Sequence, residues 1–186
     1  MIEKLRQDFA EYSKRKIRNK NELLELLPFP IESKNEIGRK IIKDIIASKN
    51  SDDMDFCLLL LWVVDEEDDC IDLLHEIFLE PWHTKHDDII HNLQWREHPS
   101  SVPTIKIAMQ QKFPFLEACS RTGPFINQCG HALKSIGTEE AIEAIKDLAE
   151  NSEDPIVKAE MIYRLSKIFP ENYPEDEDLP RWYDFD

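Results

Sequence analysis

A chain of 186 residues with a formal net charge of −15 is long enough to bury a core without covalent staples, and it repels phosphate backbones and anionic lipid, which disfavours nucleic-acid and membrane partners. Its four cysteines, Cys57, Cys70, Cys119 and Cys129, form no C-x-x-C pair and sit among apolar or helix-forming neighbours, so they read as reduced, buried thiols, not as a disulfide framework or zinc site. The longest apolar run, Phe56 to Val64, is about half the span of a bilayer, and the charged start lacks the apolar core of a secretory signal; a soluble, cytoplasmic protein is expected.

Glycine is scarce and no stretch alternates apolar with polar residues long enough to argue a strand, so the expected class is all-α. Ile2, Leu5, Phe9 and Tyr12 follow helical spacing, and Leu23, Leu24, Leu26 and Leu27 form a short second helix stopped by Pro28 and Pro30; these two are expected to cap the rest. Ser33 and Glu36 have capping-box spacing ahead of the stripe Ile37, Ile41, Ile42, Ile45 and Ile46. Met54 to Val64 is apolar around most of its circumference, predicting the centre of the core, with Trp62 inside it.

An acidic start at Asp68 and Asp69 leads into Cys70, Ile71, Leu73, Leu74, Ile77 and Phe78, ended by Pro81. The next helix is expected from about His83 to Trp95, and Ser100 or Ser101 is expected to cap the one that follows, with Pro103 tolerated in its first turn. Residues 112–121 read as an irregular connection with one helical turn. Thr122 and Pro124 open a helix closed by Gly137, Thr138 caps the next, and Asp154 with Pro155 starts the last, which runs to Pro170. The chain is read as one helical repeat domain over 1–170, followed by an acidic aromatic tail over 171–186 that is either disordered or tucked in through Trp182, Tyr183 and Phe185.

Helix starts near Asp68, Ser100 and Thr138 recur at roughly thirty to forty residues, with an earlier copy from Ser33; that period predicts an α-solenoid of about four helix pairs, the second helices lining its inner surface. The segment from Gly130 to Ile168, through Ala132, Leu133, Ile136, Gly137, Thr138, Ala141, Leu148 and Ala149, resembles a bacterial HEAT-like repeat, and 82–109 is similar to the preceding repeat of such proteins. The chain departs from the pattern at Asn127, Gln128 and His131. Some members of that group are linked to polymorphic toxins as immunity proteins, so the resemblance implies a solenoid that binds protein.

Among residues that carry chemistry, His83, His86 and His91 with Asp87 and Asp88 form the densest ligand-like group, but His86 and His91 are out of helical register, so no metal site is assigned. The run Asp65, Glu66, Glu67, Asp68 and Asp69 reads as a solvated turn without the dry pocket that acid–base work needs. No hydrolase elbow, P-loop, zincin or EF-hand spacing occurs, so no catalytic residue and no cofactor is expected. Trp95, beside Arg96 and Glu97, is either an interface anchor or core.

The chain is therefore read as a non-enzymatic protein-binding module, specifically an immunity protein that masks a basic toxin domain through an acidic inner surface. The residues expected to bind the partner are Asp65, Glu66, Glu67, Asp87, Asp88, His91 and Trp95, placed in one concave patch. A general assembly scaffold is the alternative, followed by a HEAT-like enzyme acting on nucleic acid or a tetrapyrrole.

Overall fold

The computed structural model describes residues 2–14, 19–66, 69–173 and 179–185. Among them all regular structure is helical, eleven α-helices joined by short loops and 3-10 turns. None of the helices is long and apolar enough to cross a membrane. The chain divides into two compact units, Met1–Ile77 and Phe78–Asp186.

In the first unit, α1 (Ile2–Ser13) buries Leu5, Phe9 and Tyr12, one stripe at helical spacing. Helix α2 (Lys20–Glu25) is capped by the Asn19 side chain, which accepts the Asn21 N–H, and it buries Leu23. Both pack on α4 (Met54–Val64), where the Phe9 and Phe56 rings meet edge to face at 5.4 Å, and α3 (Lys34–Ser48) packs along α4 through Ile41, Ile42, Ile45 and Ile46. Helix α5 (Ile71–Phe78) follows and ends on Phe78, the first residue of the second unit. Its expected acidic start is in part unseen, since Asp68 lies outside the described residues.

Two expectations for this unit are corrected. The capping box of Ser33 and Glu36 does not form: Ser33 closes a 3-10 turn with φ −103° and ψ 5°, not the extended backbone an N-cap needs, and its side chain caps nothing. Trp62 is not core but 37% exposed, because α1, α2 and α3 cover the other sides of α4 and leave Asp55, Leu58, Leu59 and Trp62 on its open face.

The second unit holds α6 (His86–Arg96), α7 (Ser101–Met109), α8 (Pro114–Ala118), α9 (Thr122–Ile136), α10 (Glu139–Asn151) and α11 (Pro155–Ile168). Helix α9 lies between α6 and α11, α7 packs on α10, and α10 packs on α11. The interior is filled by Ile89, Ile90 and Leu93 from α6, Ile105 and Met109 from α7, and apolar residues of α9 to α11 such as Phe125, Leu133, Ile145 and Leu165.

Local signals set most helix ends here. Gly137 takes the left-handed conformation at φ 64° that favours glycine and closes α9, the Thr138 hydroxyl accepts the Ala141 N–H at 3.2 Å, and the Asp154 carboxylate accepts the Ile156 N–H at 2.9 Å ahead of Pro155. Ser100 behaves differently. Its backbone is already helical and its hydroxyl lies 2.7 Å from His98 Nδ1, so α7 starts without a side-chain cap. Helix α6 starts at His86, three residues later than expected, because His83 is held in the preceding loop with its Nδ1 accepting the Lys85 N–H.

The tail is tucked where it is described. Leu179 is buried, and the 3-10 turn Trp182–Asp184 packs on α9 and α11 with the Arg181 guanidinium 3.8 Å from the centre of the Tyr163 ring. Of the cysteines, Cys57, Cys70 and Cys129 are buried, but Cys119 is exposed in the loop that ends α8, against the expectation of four buried thiols.

Candidate functional site

The residues singled out from the sequence fall in both units. In the first, Asp65 is buried, and its position is explained by folding: its carboxylate accepts the Cys70 N–H at 2.8 Å ahead of α5, and its carbonyl accepts from Lys20 Nζ at 2.7 Å. Glu66 is exposed and ion-paired with the buried Lys34, whose hydrogen bond and charge hold the Glu66 carboxyl below the usual carboxylate range. Glu67 lies outside the described residues.

The second unit places Asp87, Asp88, His91 and Trp95 on α6. Burial of His86, Ile89, Ile90 and Leu93 orients the helix, so that Asp88, His91 and Trp95, at i, i+3 and i+7, share the face turned away from the core. Trp95 is 81% exposed, which decides between its two readings in favour of a surface residue. Asp88 makes a loose ion pair with Lys85 at 3.7 Å. Asp87 is turned toward α9 and pairs with Arg121 at 2.5 Å.

Beside that stripe a ladder of polar pairs joins the three helices. Gln94 donates to the Ser135 hydroxyl at 3.5 Å and accepts from Gln128, linking α6 to α9. Asn127 donates to Glu160 at 3.3 Å and Arg164 approaches His131 Nδ1 at 3.3 Å, linking α9 to α11. Glu160 and Arg164 form a buried ion pair one helical turn apart; burial pushes the Glu160 carboxyl up while Arg164 and Asn127 pull it down, and the upward push wins. From the sequence Asn127, Gln128 and His131 stand out only as departures from the repeat pattern; their partners across the helices were missed, since a polar side chain at a helix junction does not signal which residue it meets.

His83, His86 and His91 do not converge. The first two are buried, with rings stacked 4.2 Å apart at 24°, while His91 lies on the exposed face of α6. His86 sits among Phe78, Phe113 and Phe125 and donates from Nε2 to the Glu80 carbonyl at 3.1 Å, which leaves a buried Nδ1 without a hydrogen-bond partner. Its pKa is pushed down to about 4, first by burial and then by His83, so the ring is a neutral part of the core at physiological pH. Burial also drives the Cys129 thiol well above its ordinary range and Cys57 up to about 12, so neither is a nucleophile at neutral pH. Among the described residues no three His, Cys, Asp or Glu side chains are grouped to hold a metal ion.

A groove of about 1000 Å³ runs between α7 and α10. Pro99 and Pro103 are exposed on its α7 side, while Glu139, Glu140, Glu143 and Asp147 line the α10 side, spaced so that they share one helix face. Comparison with known proteins finds no matching family model, no matching curated protein and no matching solved structure.

Proposed function

We propose that the chain is a non-enzymatic protein-binding module, an α-solenoid of HEAT-like helix pairs that serves in the cytoplasm as an immunity protein and neutralises a basic toxin domain by stoichiometric binding. The observation that carries this reading is Trp95, a large aromatic side chain held 81% exposed on α6 in line with Asp88 and His91. Exposed tryptophans of this kind anchor protein interfaces, and the flanking carboxylate and the overall −15 charge attract a cationic partner at long range. The side-by-side packing of α6, α9 and α11, with α7 against α10, is what stacked helix pairs produce, and it supports the solenoid reading.

Co-expression tests the function. Cells killed by the product of the adjacent gene are expected to regain growth when this chain is co-expressed, and to lose that protection with Trp95→Ala combined with Asp88→Lys. Failure of the wild-type chain to protect, with the partner shown to be toxic and the chain shown to be expressed, overturns the immunity reading.

A further inference from the structure

We infer that the groove between α7 and α10 is a second docking surface and that its occupant is a cationic amphipathic helix of a partner protein. The inference does not depend on the α6 reading, because the two surfaces share no residue.

Two parallel stripes define the surface. Pro99, in the turn before α7, and Pro103 and Ile107 on α7 follow one another at four-residue intervals; the two prolines are exposed and line the groove, and Ile107, 52% exposed, stands one turn further along the helix, beyond that lining. On α10, Glu139 or Glu140, Glu143 and Asp147 repeat at the same interval, which places a carboxylate about every 6 Å along that axis. Val102 and Ala144, both buried, close the floor.

Half of the rim carboxylates, Glu143 and Asp147, already have a cationic neighbour among the described residues, and the other half, Glu139 and Glu140, do not. Lys106 reaches Asp147 at 2.6 Å and Lys146 stands 3.8 Å from Glu143, while Glu139 and Glu140 take part in no ion pair among the described residues. An occupant must therefore bring an apolar edge for the proline–isoleucine stripe and positive charges for the acidic one. A helix does both: apolar residues and lysines or arginines at four-residue spacing repeat on adjacent faces with the same 6 Å rise, and a helix laid between two helices packs ridge into groove. The ion pairs formed at such a half-exposed rim weaken with salt, whereas the apolar contact does not.

The probe is a labelled peptide of roughly 18 residues, long enough to form a helix on binding, with leucines on one face and lysines at four-residue spacing on the next, titrated into the full chain by fluorescence anisotropy. Wild type is expected to bind it and to bind the version with every lysine replaced by glutamate at least about tenfold more weakly. Glu140→Lys with Glu143→Lys is expected to weaken binding by about tenfold or more, and the milder Glu140→Gln with Glu143→Gln by about threefold, each with an unchanged circular dichroism spectrum. Pro103→Ser with Ile107→Ser is expected to reduce the binding that persists in high salt. The control is Glu36→Lys with Asp44→Lys, which changes net charge equally at exposed positions on α3. The proposal is overturned if the control weakens binding as much as the groove reversal, since attraction is then to bulk charge. It is equally overturned if the lysine peptide does not bind, or if Trp95→Ala abolishes binding while the groove variants leave it intact.

Discussion

Gly123 lies directly beneath the Trp182 indole: a Cβ at this position would stand 2.3 Å from Cε3 and 2.7 Å from Cζ3 of that ring. The close approach seats the 3-10 turn Trp182–Asp184 on α9 and α11, so a missing side chain in the first turn of α9 is matched to an aromatic one nearly sixty residues later. Ala is otherwise the better helix former by about 1 kcal/mol, which makes the sign of a substitution diagnostic. Gly123→Ala is expected to lower stability by roughly 1–2 kcal/mol through overpacking and to expose the tail to limited proteolysis. In a Trp182→Ala background the same change is expected to be neutral or stabilising; urea denaturation of the four proteins closes the cycle.

His86 links stability to pH. Above pH 6.5 its ring is neutral in the folded and the unfolded chain alike; as pH falls from there toward about 4 the unfolded chain takes up a proton that the buried ring refuses. Stability is therefore expected to decline across that window, by roughly 3 kcal/mol in all for this group, and to level off below it. Urea midpoints measured from pH 7 to pH 4 should show a smaller slope in His86→Phe than in wild type, and an unchanged slope would contradict the depressed pKa.

The buried pair Glu160 and Arg164 predicts an asymmetry between single and double substitutions. Arg164→Met leaves Glu160 buried without its cation and is expected to cost about 3–5 kcal/mol, whereas Glu160→Leu with Arg164→Met removes both charges and is expected to cost much less. Thermal melts of both variants decide the point, and equal losses would mean that packing, not charge, is what the pair supplies.

Trp95 and Phe125 carry opposite expectations for the same change. Trp95, 81% exposed, is expected to shift stability by no more than about 0.5 kcal/mol on replacement by alanine, while Phe125, 1% exposed, is expected to lose about 3–5 kcal/mol. Wild-type stability of Trp95→Ala, alone and combined with Asp88→Lys, is also what makes the double variant's loss of protection in the co-expression assay interpretable as lost binding.

Thiol accessibility should single out Cys119. In the native chain a thiol reagent is expected to modify Cys119 quickly and Cys57, Cys70 and Cys129 slowly, with all reacting in denaturant. Mass spectrometry of the modified peptides identifies the site, and fast native labelling of Cys129 would be incompatible with its burial.

What the amino-acid sequence determined by itself is the run of helices and many of their ends. Gly137, Thr138 and Asp154 with Pro155 were readable because each acts through hydrogen bonds and dihedral limits within four residues of itself. The stripes Leu5, Phe9, Tyr12 and Ile41, Ile42, Ile45, Ile46 were readable because helical spacing alone places them on one face. Local pattern misled where a neighbour intervened: Ser33 was drawn into a 3-10 turn, and His83 was held in a loop by the Lys85 N–H.

Which apolar face is covered, and by what, belongs to tertiary structure alone. Trp62 is partly open and Trp95 mostly so because no described helix covers them, although both lie in helices whose other faces are core. His86 is inside because Phe113 and Phe125, from later in the sequence, pack against its ring, and the buried His83 stacks on His86, whereas His91 lies on the exposed face of α6. Pairs such as Asp87 with Arg121 and Asn127 with Glu160 join helices more than thirty residues apart, a separation at which periodicity specifies that a face is sticky or polar but not which partner meets it.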